Sequence, residues 1–485
     1  MNIEIKDVQL SEVEVKIFAE LEDCLSDLKD LKVLKEKEKF VGKDGEVFVY
    51  NVGEDLKYNI LVGLGKREEL TTEKIRIAMS KAYNKVKEIK AKEVAVRFID
   101  VENFCKGRTI KAIAEGLALT AYSFDKYKSD KKAETINVYV TDVKEEMKAK
   151  VNGKLNEAKA IINGITIARN LVNEPPNVIY PETLANEAKV LGEKYGFEVQ
   201  VLDKAQIEAE KMDAFLAVAK GSAKEPKFII MRYFGDEANK EEIVGLVGKG
   251  LTFDTGGYSL KPAAGMDEMK SDMAGAAAVI GAMTTIASQK LKRNVVAVVA
   301  ACENAISGGS YKPGDIINSM AGKTIEILNT DAEGRLTLAD AVSYVISKEK
   351  ATKVVDIATL TGAVLVALGN TTTAVITNNQ EFYNALEEAS KKSDERMWQL
   401  PNTDDYKKLI KSEIADLKNI GGKLAGTITA GLFIGEFAKD VPWMHLDIAG
   451  SSWREGNSDY NPKGGTGVGV KTLYYLVMGP CGCKH

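Results

Sequence analysis

Three stretches of the chain hold the residues best suited to chemistry. One is Gly248-Lys249-Gly250-Leu251-Thr252-Phe253-Asp254-Thr255-Gly256-Gly257. The second holds Lys261, just before Pro262, and then Asp272. The third is Asn329-Thr330-Asp331-Ala332-Glu333-Gly334-Arg335-Leu336. Asp331 and Glu333 are two apart, so a continuing strand would point both to one face, and on a loop both can bend toward one point, which suggests a cation. Asp254, Asp272, Asp331 and Glu333 bring four negative charges. Packed together without cations they would repel and their pKa values would rise, whereas two divalent metals would balance them. Lys249 could then serve as a neutral amine ligand, because a bound metal can hold a lysine deprotonated, leaving Lys261 and Arg335 as cations for developing negative charge. Mostly oxygen donors with one amine suit Mn²⁺, Zn²⁺ or Co²⁺, with Mg²⁺ a further choice; ligand type alone does not select among them.

Plainer readings compete. An aspartate beside glycine is ordinarily a turn residue, Lys249 could be a solvated loop lysine, and Asp331 with Glu333 could cap a helix. Nucleotide loops are excluded on spacing. Gly248-Lys249-Gly250 and Gly63-Leu64-Gly65 both lack the third glycine of a dinucleotide fingerprint, and no Gly-Lys-Ser/Thr follows as in a Walker loop. Histidine is scarce: there are two, His445 and His485. A zinc site of the HExxH kind is therefore impossible, and a Ser-His-Asp triad would have to run through His445, inside a strand-like run where plain packing is the expectation. The chemistry is left to carboxylates, lysines and arginines.

Composition narrows the setting. With 485 residues, 45% hydrophobic and 28% charged, the chain is an ordinary globular protein of two or three domains. A formal net charge of −4 argues against nucleic acid as the main partner. No stretch approaches the ~20 apolar residues of a membrane span, and Met1-Asn2-Ile3-Glu4-Ile5-Lys6 lacks the basic start and apolar run of a signal peptide. Five scattered cysteines make no disulfide framework, so a reducing cytoplasm is the simplest expectation. Cys302, at the end of an apolar strand, reads as packing, and the tail Pro480-Cys481-Gly482-Cys483-Lys484-His485 is expected to be no folded metal site.

The elements that must position these residues read as two α/β patterns. In residues 1–150, strand-like runs (Val13 to Phe18, Lys57 to Val62, Glu93 to Phe98, Thr135 to Val140) alternate with helix-like runs (Thr72 to Ile89, Ile110 to Ala121). Residues 145–172 read as one helix, stopped by Asn173-Glu174-Pro175-Pro176-Asn177. Then come a helix, Pro181 to Lys194, and strands Glu198 to Leu202, Lys227 to Tyr233, Ile243 to Val247, Asn294 to Ala301, Thr324 to Leu328, Lys353 to Ile357 and Trp443 to Ile448. The division expected is an N-terminal α/β (macro-like) domain over 1–150, a linking helix over 151–172, and a larger doubly wound α/β catalytic domain with a central mixed sheet over 173–485. The polar residues are expected on loops beside strand ends, where open α/β sheets bind ligands. Asp272 is expected to be helped by the N-terminus of the small-residue helix that follows it.

The three stretches closely resemble the leucyl aminopeptidases of the cytosol aminopeptidase family, and the octapeptide Asn329 to Leu336 is that family's signature. The likeness extends to Asn173 to Asn177, Ala358-Thr359-Leu360-Thr361-Gly362, Gly426-Thr427-Ile428-Thr429-Ala430 and His445 to Gly450, so it spans roughly residues 165–470. The resemblance implies a tight metal site of Lys249, Asp254, Asp272 and Glu333 and a more exchangeable one of Asp254, Asp331 and Glu333. It further implies two-metal hydrolysis of the N-terminal peptide bond of peptide substrates, with Lys261 and Arg335 catalytic and a bicarbonate held by Arg335 as proton shuttle. Met269, Thr359, Gly362 and Ala449 would line the pocket for the first side chain, while Asn329 and Leu360 would position the substrate backbone. Family members form homohexamers.

Overall fold

The computed structural model describes residues 1–9, 12–26, 28–53, 57–130 and 135–480. The Cys481, Cys483 and His485 tail lies outside them. The chain forms two compact units, Met1–Ile162 with Glu455–Lys463, and Asn163–Arg454 with the stretch from Gly464.

The first unit is built on β1 (Asn2–Ile5), β2 (Val15–Glu20), β3 (Val47–Val52), β4 (Lys57–Gly63), β5 (Glu93–Arg97) and β6 (Asn137–Thr141). They form one sheet in the order β1-β6-β5-β2-β4-β3, parallel except for the β3–β4 edge. Helix Thr72–Ile89 starts where the Thr71 side chain accepts a hydrogen bond from the Lys74 amide, a standard N-cap. Its apolar face, with Ile75 and Met79, packs with Ile60, Val62, Ile110 and Ile113 in a closed core.

The second unit holds β7 (Glu198–Leu202), β8 (Lys227–Phe234), β9 (Ile243–Asp254), β10 (Asn294–Asn304), β11 (Ile316–Asn318), β12 (Thr324–Glu326), β13 (Lys353–Ala358), β14 (Thr372–Thr377), β15 (Arg396–Gln399), β16 (Leu417–Lys418) and β17 (Trp443–Asp447). Eight of these make a mixed sheet in the order β15-β14-β17-β13-β9-β10-β8-β7, parallel from β17 through β10. Helices Ala274–Ser288 and Gly334–Ser347 are buried almost throughout, as expected of helices that cover a parallel sheet.

Two expectations need correction. The strand ahead of the octapeptide ends at Glu326 and pairs with β11 and β16 in a separate three-stranded sheet, so Asp331 and Glu333 do not follow a strand of the central sheet. And β9 does not stop at Val247; it runs on to Asp254, so Lys249 and Asp254 sit on the central strand itself rather than on a loop beyond it.

Candidate active site

Close packing around β9 creates the site. A Cβ at Gly248 would lie 2.7 Å from the Ala276 Cα, and one at Gly275 would lie 2.1 Å from the Ile357 carbonyl oxygen. Only the small-residue run Ala274 to Ala278 can approach the strand this closely. That approach carries Asp272, in the 3₁₀ turn Met266–Met273, against Lys249. On the other side, a Cβ at Gly334 would lie 2.4 Å from Lys249 Cε, so this glycine is what lets the lysine stem pass the signature helix.

Lys249 Nζ lies 2.8 Å from Asp272 Oδ1 and 2.8 Å from Glu333 Oε1, and donates to the Thr359 carbonyl at 2.9 Å. All three ammonium protons are thereby used. Thr359 Oγ1 donates to Asp272 Oδ1 at 2.7 Å. Asp254 Oδ1 accepts from the Gly256 amide and from Asn304 Nδ2, both at 2.8 Å. Its Oδ2 faces Lys261 Nζ at 2.9 Å, and Lys261 also reaches Asp331 Oδ1 at 2.5 Å. The sequence-derived ligands therefore form two linked sets: Lys249 holds Asp272 and Glu333, and Lys261 holds Asp254 and Asp331. Glu333 is the N-cap residue of helix Gly334–Ser347, but its side chain makes no capping bond, which removes the capping alternative for it. Asp272 likewise makes no cap; its partners are Lys249 and Thr359, not the helix terminus.

Burial pushes the carboxyls of Asp272 and Glu333 upward, and the neighbouring Asp254 charge adds to it. Burial likewise raises Asp331. For Lys249, burial opposes the charge, but Asp272, Glu333 and Asp254 outweigh it and hold the ammonium above the ordinary lysine range. Lys261 is raised in the same way, burial being outweighed by Asp254, Glu333 and Asp331. The ligand atoms of Asp254, Asp272 and Glu333 lie within 4.8 Å of one another and all three residues are buried, the one such group among the described residues. Among the described residues, Asp272 Oδ2 is buried with no hydrogen-bond donor. An acceptor left that way is costly, and a cation among these three carboxylates satisfies it. The residues present fit a divalent metal.

Arg335 is buried on the same helix. Its Nη1 donates to the Asn419 carbonyl at 2.7 Å, and its Nε has no hydrogen-bond partner among the described residues. Burial lowers it to about 10 against the pull of Glu333, Asp447 and Asp331. Met269 is half-buried three residues ahead of Asp272. Asn329, Thr359, Leu360 and Ala449 are half-buried too, and Gly362 is exposed at the start of helix Gly362–Leu368. Lys270 Nζ donates to the Asn173 carbonyl at 2.8 Å, which ties the Asn173 to Asn177 stretch to the turn that carries Met269 and Asp272.

His445 is fully buried with Nδ1 on Asp356, whose other oxygen accepts from Trp443 Nε1 at 2.7 Å. It is packing, as expected, and so is Cys302 at 0% exposure. Three residues escaped the sequence reading. Asn304 bridges Asp254 to the Thr330 carbonyl. Asn419 takes the Leu328 and Asn329 amides on Oδ1 and donates from Nδ2 to the Asn329 carbonyl at 2.6 Å, clasping the octapeptide from outside. Asp447 collects donors from the Thr359 to Thr361 turn. Nothing in the local sequence marks Asn304 or Asn419, and Asp447 falls in the His445 to Gly450 stretch without a role being read for it, since each acts on a segment tens of residues away.

Comparison with known proteins gives a consistent result. The profile of the cytosol aminopeptidase family, catalytic domain, matches residues 166–474, and that of the same family's N-terminal domain matches residues 11–131. A "probable cytosol aminopeptidase" of Clostridium perfringens is 58% identical over 456 residues, covering 93% of this chain and 92% of the relative. One of Treponema denticola is 48% identical, covering 92% and 94%. Among solved structures, a tomato leucine aminopeptidase mutant matches with a TM-score of 0.87 at 32% identity, over 99% of this chain and 96% of that one. The bottromycin maturation enzyme BotP in complex with Mn matches with a TM-score of 0.87 at 30% identity, over 96% and 99%.

Proposed function

The chain belongs to the cytosol aminopeptidase family, and from that premise we propose how its residues divide the work of a metal-dependent aminopeptidase. The observation that carries the reading is the convergence of Asp254, Asp272 and Glu333 on one point beside Lys249. Lys249, Asp254, Asp272 and Glu333 hold the tight metal; Asp254, Asp331 and Glu333 hold the second, with Asp254 and Glu333 shared. The Asp331 side chain is 34% exposed, against 2% for Asp254 and Glu333, which favours easier exchange at the second position. Mn²⁺ is supported by the Mn-bound relative; Zn²⁺, Co²⁺ and Mg²⁺ fit the same donors.

When bound, the two ions supply Lewis acidity toward the scissile carbonyl and the attacking water. The rest falls to this chain's own groups. Lys261 places its ammonium where negative charge develops on the carbonyl oxygen, a contribution that grows in the transition state. Arg335 offers a planar fork with a free Nε, suited to a bicarbonate that shuttles the proton. His445 is held on Asp356 inside the sheet and is in no position to act as base. Asn329 and the Leu360 main chain position the substrate backbone. Met269, Thr359, Gly362 and Ala449 line the pocket for a leucine-like first residue, whose discrimination by one methylene is worth only ~1–3 kcal/mol.

The matched spans support an N-terminal domain over 1–150, a linking helix over 151–172 and a catalytic domain over 173–485. Among the described residues no helix is long and apolar enough to cross a membrane. With relatives named for the cytosol, that supports a cytoplasmic setting; assembly as a homohexamer completes the proposal. Metal analysis and hydrolysis of leucine p-nitroanilide on one purified sample test it, with solution sizing alongside. Chelator-sensitive turnover that returns with Mn²⁺ or Zn²⁺ is expected. Metal-loaded protein without peptidase activity sinks the reading.

A further inference from the structure

Strands β13 and β17 are parallel neighbours with Ala358 opposite Asp447, and both end there. The last rung between them is the Ile448 amide on the Ala358 carbonyl at 2.8 Å. Beyond it the chains part. One turns through Thr359, Leu360 and Thr361 into helix Gly362–Leu368, and the other turns through Ala449 and Gly450. The Asp447 carboxylate fills the fork. Its Oδ1 accepts from the Leu360 amide and from the Ala449 amide, both at 3.2 Å, and its Oδ2 accepts from Thr361 Oγ1 at 2.6 Å. The side chain is completely buried.

The direction of these bonds is fixed by the carboxylate, which only accepts. The single Thr361 hydroxyl proton goes to Asp447, so Thr427 Oγ1, 2.9 Å away, and the Val364 amide must both donate to the Thr361 oxygen. One buried carboxylate thereby orders the Leu360 turn, the Ala449 turn, the start of helix Gly362–Leu368 and, through Thr427, helix Gly426–Gly435. Among the described residues no lysine or arginine forms an ion pair with Asp447, and the histidine two residues away is held by Asp356. No cation among the described residues touches this buried carboxylate, although Arg335 and His445 act on it from farther off, and its direct partners are main-chain and hydroxyl donors.

We propose that Asp447 is the positioning residue of the first-residue pocket: it fixes the spacing of the Leu360 and Ala449 turns and so sets selectivity for the substrate's N-terminal side chain. This rests on the pocket assignment made above. It acts through Leu360 and Ala449 and touches no reacting atom.

The test compares Asp447→Ala, Asp447→Asn and Thr361→Val, with Thr361→Ser as the conservative rescue, using leucine and alanine p-nitroanilides. Asp447→Ala strands the Leu360 and Ala449 amides, and the leucine-over-alanine preference in kcat/KM is expected to fall about tenfold or more, mainly through a higher KM for leucine, with metal content unchanged. Asp447→Asn keeps the acceptor for both amides but turns an NH₂ toward Thr361 and reverses the hydroxyl chain, so a smaller fall is expected. Thr361→Val should lose selectivity and Thr361→Ser regain it, which keeps the test alive where Asp447→Ala does not fold. Preference within twofold of the parent in every folded variant overturns the proposal; so does loss of metal and kcat at unchanged KM. Ala449→Val checks the pocket on its own, since a pocket bounded by Ala449 must disfavour long side chains in that variant. If it does not, the pocket assignment has failed, while faster exchange of the Leu360 and Ala449 amides in Asp447→Ala still reports whether Asp447 holds the two turns.

Discussion

If the proposed tight site is right, loading it must expel protons, and the number expelled follows from who holds them beforehand. Lys249 Nζ lies 2.8 Å from both Asp272 and Glu333. Burial opposes its charge, but Asp272, Glu333 and Asp254 keep the ammonium above the ordinary lysine range, so it is charged across any practical assay. An ammonium has no lone pair to offer a metal. If Lys249 is a ligand, one proton must leave with each metal bound. Glu333, raised by burial and by the Asp254 charge, adds part of a second proton as pH falls. Each proton released makes apparent affinity rise tenfold per pH unit, or ~1.4 kcal/mol. The sign is therefore tighter binding at higher pH. Between about pH 6.5 and 8.0 the gain is ~30-fold for Lys249 alone and approaches ~1,000-fold with a full proton from Glu333. Calorimetric titration of Mn²⁺ into chelator-stripped protein, in two buffers of different ionisation enthalpy at one pH, counts the protons directly. A count between one and two is expected. A count near zero with affinity flat in pH refutes the ligand role of Lys249 and leaves it as a charged neighbour.

Other perturbations separate the remaining roles. Lys261→Ala should keep its metal content and lose ~10²–10³-fold in kcat, the scale of removing one donor from a developing anion; unchanged turnover would contradict its role. Asp331→Ala should bring stoichiometry toward one tight metal per chain, and two metals still bound tightly after dialysis would move the second site elsewhere. Asn419→Ala removes the three half-buried hydrogen bonds that clasp Leu328 and Asn329, so chemical denaturation should show a loss of ~2–3 kcal/mol at ~1 kcal/mol each, with weaker activity because the same segment holds Arg335.

How much of this was legible beforehand depends on how far apart the cooperating residues lie. The helix Thr72–Ile89 and strand Glu198–Leu202 are bounded as their periodicity predicts, because each signal is contained within its own element. The edge strands β1, β3 and β15 and the inner strand β14 were missed. At the edges the burial that drives alternation is weak: β15 reads exposed and half-buried residues in turn. Asp254, Asp272, Asp331 and Glu333 were identifiable because four carboxylates in glycine-rich context make poor sense singly. Their placement was not: β9 runs through Lys249 and Asp254, since glycines at 248 and 250 look like a loop in sequence but here permit close approach of a helix and a neighbouring strand. Asn304, Asn419 and Asp447 act across 26 to 91 residues of chain, often on main-chain groups, and an acceptor for a backbone amide leaves no local signature.

The two lysines offset part of the charge that the four carboxylates bring together. Four carboxylates this close would by themselves be a severe burden on folding, because buried charge without a partner is expensive. Lys249 and Lys261 each bridge two of them, so every carboxylate has a cation within 2.9 Å. Two ammoniums against four ionised carboxylates leave a formal charge of −2, half of what the carboxylates alone would carry. On the proposed ligand set, Asp254, Asp272 and Glu333 would hold a divalent ion that takes over the neutralising role of Lys249, and that amine would give up its proton to join them. The burial that raises the carboxyl pKa values works in the same direction, since it makes the cation-free carboxylates the less stable alternative. Lys261 lies with Asp254 and the more open Asp331, and it stays charged because those carboxylates outweigh its burial. On the proposed assignment Lys249 would lose its proton and Lys261 would keep it, a difference that would come from which carboxylates pair with each rather than from residue type.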